Sequence, residues 1–211
     1  MLDSFDVPGW IYYVVDKLTS CKATDPFFIV LTNNSKLAAG ADRAPILFRS
    51  WAALDRWVRR SRTDALQLRD CSLLLKSRSI PVVLLQTRDN GTLSEMDIAL
   101  IKAANLDLLL YLGRGVPGDE ISACAGQGAW SMQWGALCGS AAVPGQFWDM
   151  YEGNRVTRYG PQVIEQKRNW TRVAYRSSTI TSFLSLALNQ NAASWEIAHV
   201  LVTQLSDEER R

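Results

Sequence analysis

The chain has 211 residues, 47% hydrophobic and 21% charged, with a formal net charge of +2. That length suits one domain burying roughly 70% of its unfolded surface, here read as 1–205 with a polar tail at 206–211. A charge so near zero gives no case for nucleic acid or an anionic membrane. The four cysteines form no C-x-x-C pair and histidine occurs once, so no metal centre is expected. An acidic start without an apolar leader core, and no apolar run near the ~18 residues of a span, lead to the expectation of a cytoplasmic chain with reduced thiols.

Residues 5–9 (F-D-V-P-G) read as a loop. Trp10, Ile11, Val14, Val15 and Leu18 follow at helical spacing. Phe27 to Leu31 is a strand, and 35–45 a loop. Leu47 to Val58 carries Trp51, Leu54, Trp57 and Val58 on a helix. Its arginines, Arg56 and Arg59 with Arg60 and Arg62 beyond, read as a solvated face rather than a phosphate site. A short segment at 66–75 leads to a strand at 81–85 and a turn at 87–91. Ser94-x-x-Asp97 caps a helix running to Ala104.

The next stretch, 105–152, organises the rest. Leu106, Leu108, Leu109, Leu110 and Leu112 form a near-continuous apolar run of the kind a central strand needs, stopped by Gly113. Gly113, Gly115, Pro117 and Gly118 then make a loop at that strand's carboxyl end, where open α/β sheets place ligands. Ala129 to Met132 is a second short apolar run that brings polar groups to the same neighbourhood. Pro144-Gly145 leads into an amphipathic turn through Phe147, Trp148 and Tyr151, and Gly153-Asn154 is a turn. Residues 161–166 and 170–177 read as a β-pair, and Ile180 to Leu205 as a helix. The fold class is therefore α/β, a mostly parallel sheet with helices on both faces.

Three stretches in this order, L-D-L-L-L-Y-L-G-R-G-V-P-G-D-E-I, G-A-W-S-M-Q-W-G and P-G-Q-F-W-D-M-Y-E-G-N-R-V-T, resemble the formyltransferase fold. The similarity is to the formyltransferase-like branch with G-V-W-S-F-H-H-G-D and P-P-G-F-W-E motifs. The opening D-S-F-D-V-P-G-W-I-Y-Y-V-V is similar too, so the resemblance runs from about Leu2 to Ser182. The resemblance also implies a strand ahead of that opening, inside the sheet. Only Met1 and Leu2 stand there, which leaves three possibilities: another segment fills the gap, a partner chain does (a second copy included), or the start is trimmed.

Formyl transfer needs a group that takes a proton from the attacking amine and a donor that stabilises the tetrahedral oxyanion. The resemblance implies an Asn, a His two residues later and an Asp further on for these roles. Ser131, Gln133 and Asn169 stand at those positions. An amide does not titrate, so Gln133 cannot be a general base, although it can donate a hydrogen bond to an oxyanion. The resemblance also implies a 10-formyl-tetrahydrofolate-like donor held by the loop after the leucine-rich strand, at Gly113, Arg114, Gly115 and Val116.

Other residues can be read two ways. Asp149 and Glu152 either carry a carboxyl made basic by desolvation beside tryptophan or cap a helix terminus. Trp130, Trp134, Phe147 and Trp148 either fill core or clasp a flat substrate. His199 reads as a packing or surface residue, and Cys124 and Cys138 as inert. Two functions follow. One is a diverged enzyme of small-molecule biosynthesis, transferring a formyl or acyl group to an amine without the usual His base. The other is a catalytically silent binding or scaffold relative.

Overall fold

The computed structural model describes residues 1–21, 26, 28–32, 45–59, 64–86, 93–113, 118–134, 144–157, 161–167, 170–176 and 178–208. The strands among these are β1 (Asp6–Pro8), β2 (Phe28–Thr32), β3 (Leu68–Asp70), β4 (Val82–Gln86), β5 (Leu109–Tyr111), β6 (Ala129–Trp134), β7 (Pro161–Lys167) and β8 (Trp170–Arg176). The helices are α1 (Gly9–Ser20), α2 (Ile46–Val58), α3 (Ser72–Ser77), α4 (Glu95–Ala103), α5 (Asp119–Ser122), α6 (Gly145–Tyr151) and α7 (Leu186–Glu208).

Strands β2 and β4 pair in parallel, as do β5 and β6, whereas β6–β7 and β7–β8 are antiparallel. The two halves meet through the first two residues. The Leu2 N–H donates to Ile29 O (2.8 Å), the Leu112 N–H to Met1 O (3.0 Å), and the Met1 ammonium to Leu110 O (2.6 Å). Met1 and Leu2 thus occupy the slot between β2 and β5, with Leu2 bridged in parallel to Val30. The resulting order is β4-β2-(1–2)-β5-β6-β7-β8. The backbone groups of these two residues bond sideways to both neighbouring strands, and Leu2 adds a fully buried side chain to the core.

Residues that pair across strands share a face, and successive residues alternate. On one face Trp130, Met132 and Val163 pack with Val14 and Val15 of α1 and Ile197, Ala198 and Leu201 of α7. On the other, Ile29, Leu85, Leu109, Tyr111 and Ala129 pack with Ile101 of α4 and Cys124. Helices therefore cover both faces of an α/β sheet whose far half, β6-β7-β8, is antiparallel.

Several local expectations need correction. The 5–9 loop contains β1, which pairs antiparallel with β3; Pro8, its last residue, also takes the N-cap position of α1. The last helix starts at Leu186, not Ile180. Ser185 sits at its head, its Oγ accepting from the Leu188 N–H (3.1 Å). Asn189 clamps the turn before it, accepting from the Ser182 N–H (2.6 Å) and donating to Ser182 O (2.9 Å). That helix also runs on to Glu208, into the stretch read as tail. The capping box at Ser94 and Asp97 is present as expected. The loop at 35–45, apart from Pro45, and the turn at 87–91 lie outside the described residues.

Candidate functional site

Strand β6 carries the residues on which the functional reading turns. Ser131 pairs with Tyr111 on one side and Ile164 on the other, so it lies on the α4/α5 face. It is buried, and its Oγ has no hydrogen-bond partner among the described residues. Trp130, the preceding residue, points to the opposite face, in a row with Leu110 and Glu165. Ser131 and Trp130 are neighbours in sequence but separated by the sheet. Strand β5 ends at Tyr111, opposite Ser131, so β6 runs on past it through Gln133 and Trp134, which among the described residues pair with Gln162 and Pro161 of β7. The region beyond the carboxyl end of a parallel strand is where α/β sheets bind ligands.

At that end of β5, Tyr111 Oη donates to Asp3 Oδ1 (3.1 Å). Burial, and then the Asp3 charge, hold the phenol well above its ordinary range, so it stays a donor. Gly113 is what lets Asp3 in. A Cβ built there would sit 2.2 Å from Asp3 Oδ1, inside any van der Waals contact. Gly113→Ala must displace the Asp3 carboxylate, and we expect it to destabilise the fold by about 1–3 kcal/mol. Measured in an Asp3→Ala background by urea denaturation, that cost should shrink by more than half. An undiminished cost would mean that Gly113 is needed for another reason. Arg114, Gly115 and Val116, the remaining expected donor-loop residues, and Asn169 lie outside the described residues.

The residues of α6 have structural partners. Asp149 is fully buried, and Asn154 binds it twice, through Nδ2 to Oδ1 (3.2 Å) and through its N–H to Asp149 O (2.9 Å). The same Nδ2 donates to Glu152 Oε2 (3.0 Å). Asn154 thus ties both acids to the turn that follows α6. Trp148 sits edge-on to Phe147 and Tyr151, and Phe147 meets Phe48 and Trp51 of α2, also edge-on. These rings pack on one another. The Trp148 Nε1 and Gln146 Nε2 atoms are buried without a partner among the described residues.

A cavity of about 260 Å³ lies on the other face, between β6–β8 and α7. Trp130, Glu165, Arg172, Tyr175, Leu201 and Gln204 line it. Arg172 grips Glu165 Oε2 through Nε (2.7 Å) and NH2 (2.6 Å). Tyr175 Oη donates to Glu196 (2.8 Å), and burial followed by that bond pushes the phenol up to about 12. Sequence reading missed the Glu165–Arg172 pair, because only the hairpin register brings the two acid–base partners opposite each other.

His199 is exposed on α7, its Nδ1 3.3 Å from Tyr13 Oη. Burial pushes the Cys71 thiol up to about 11 and raises that of Cys124, and each bonds a backbone carbonyl, Phe5 O and Glu120 O. Neither is an activated nucleophile. Cys138 lies outside the described residues. Among the described residues no three His, Cys, Asp or Glu side chains converge to hold a metal ion.

The sequence matches no protein-family model and no curated protein. The structure does match a solved one. The phosphoribosylglycinamide formyltransferase of Anaplasma phagocytophilum superposes with a TM-score of 0.53 at 12% identity, over 94% of this chain and 79% of that one. The fold is similar to that of this formyltransferase. At this identity the likeness concerns the fold, and the chemistry has to be argued from the residues present.

Proposed function

We propose that this chain is a diverged formyltransferase-like enzyme that binds a small molecule beyond the carboxyl end of β5 and transfers a formyl or related acyl group to an amine. The observation that supports this reading is the course of β6. Positions 131 and 133 stand two apart on one strand, and β6 continues past Tyr111, the last residue of β5, two residues before Gly113, where Asp3 takes the space of a side chain. In such a transfer the amine nitrogen bonds to the formyl carbon, the bond from that carbon to the donor nitrogen breaks with its electron pair going to that nitrogen, the attacking amine loses one proton, and the departing donor nitrogen takes up one from solvent. Gln133 can donate a hydrogen bond to the carbonyl oxygen as it gains charge. It cannot take the proton, so that proton passes to solvent or to a basic group on the substrate. Losing general-base assistance removes roughly 10²–10⁴-fold in rate. The reading therefore requires slow chemistry that rests on positioning.

The donor would be a 10-formyl-tetrahydrofolate-like molecule. Gly113 is the one member of its expected loop that the structure describes. Thermal unfolding with reduced folates, acyl donors and small amines tests the proposal. A ligand at a hundredfold excess over Kd adds about 2.7 kcal/mol of stability. We expect such a shift with a reduced folate and its loss in Gln133→Ala. Stabilisation by none of the compounds would remove the enzyme reading.

The alternative is a catalytically silent binding or scaffold relative. The ring cluster of α6 favours it, because Phe147 and Trp148 pack against each other and against the rings of Phe48, Trp51 and Tyr151.

A further inference from the structure

Helix α2 is amphipathic, yet none of its residues is buried. At 100° per residue, Ile46, Leu47, Leu54, Trp57 and Val58 fall with Ser50 in one sector about 120° wide. That sector points away from the domain: Leu47 is 85% exposed, Trp57 74% and Leu54 58%. The opposite side faces inward. Asp55, the one acid of the helix, accepts the Ala187 N–H at the start of α7 (2.8 Å), and Phe48 packs on Phe147. The usual arrangement is reversed, with the apolar sector in solvent and the carboxylate against the protein. Residues 46–64 hold five arginines against two aspartates. Of those arginines, Arg56 is ion-paired with Asp64 at 3.4 Å while remaining half exposed.

We propose that the outward face of α2 docks on an anionic lipid bilayer, lying in the plane of the interface. A helix with a sector apolar but for one serine, exposed tryptophan and flanking arginine, and low overall hydrophobicity, has the chemistry of an interfacial helix. No described helix is long and apolar enough to cross a membrane, so the contact is one of lying on the surface. A second copy of the chain fits less well, because two such helices would bring like charges together. A partner helix fits less well too. Helical peptides seat in grooves, whereas α2 is convex, and its length is under two heptads when a coiled coil needs three or four. This inference is independent of the enzyme reading, since α2 carries none of the residues named at the ends of β5 and β6.

Flotation of the 211-residue chain with vesicles tests it, read by co-floating protein and by the blue shift of tryptophan emission. Pure phosphatidylcholine vesicles are compared with vesicles containing about one-third phosphatidylserine, and partition should favour the anionic vesicles roughly tenfold or more. Leu47→Ser with Trp57→Ser should abolish binding while leaving the melting temperature unchanged, since both side chains are exposed. Arg56→Gln with Arg59→Gln should erase the preference for anionic lipid. No flotation with either vesicle, or equal flotation with both, overturns the proposal. So does concentration-dependent self-association that the Leu47→Ser/Trp57→Ser pair removes, which would assign the face to a second copy.

Discussion

Raising the pH from about 5 to 8 should stabilise the 211-residue polypeptide, and acetylating the Met1 amino group should flatten most of that gain. The Met1 amine is enclosed in the sheet beside Leu110 O, and burial lowers its pKa from 8.0 to about 5, with the Asp3 charge opposing part of the fall. Above pH 8 the amine is neutral in both folded and unfolded chains, and the cost of burying an ammonium is absent. Between the two values the unfolded chain holds a proton that the folded chain does not, so stability falls as pH falls. Below about 5 both forms are protonated and the loss is complete. Three pKa units set a ceiling of about 4 kcal/mol. Urea titrations at several pH values, on free and acetylated protein, measure the difference directly. A flat profile for the free amine would mean that Met1 and Leu2 do not occupy the slot between β2 and β5.

Opposite effects are expected from two neighbouring substitutions in β6. Trp130→Ala removes a large buried ring from the face packed by α1 and α7 and should cost about 3–5 kcal/mol. Ser131→Ala, one residue on, removes a buried hydroxyl that has no partner among the described residues. It should therefore be neutral or stabilising by about 1 kcal/mol. The pair tests the register of β6, because a slip by one residue would exchange the two faces. Equal losses in chemical denaturation would contradict the pairing of Ser131 with Tyr111 and Ile164.

These two residues also show where sequence reading stopped. The apolar runs made β2, β4 and β5 legible, and the capping residues fixed the start of α4. The sequence places Trp130 and Ser131 in one neighbourhood and leaves Trp130 open between core and substrate contact, whereas the period of a strand sends these adjacent residues to opposite faces. Ile180 and Leu184 fit a helical period, yet they are 85% and 80% exposed and lie ahead of α7. Spacing alone could not show that Ser185 and Asn189 fix the helix start later. Two-residue occupancy of the sheet gap by Met1 and Leu2 was illegible, since it depends on three backbone hydrogen bonds to two strands far apart in sequence. Likewise, the double hold of Asn154 on Asp149 and Glu152 is a matter of how the turn after α6 folds back.

The central claim is that a small molecule binds where β6 runs past the end of β5. Amide NMR of the chain titrated with a stable formylated reduced folate tests it most directly. The account expects saturable shifts centred on Tyr111, Leu112, Gly113, Ser131 and Gln133, with little change at Arg172 or Gln204. No shifts at high ligand concentration, or shifts confined to the cavity beside α7, would contradict it.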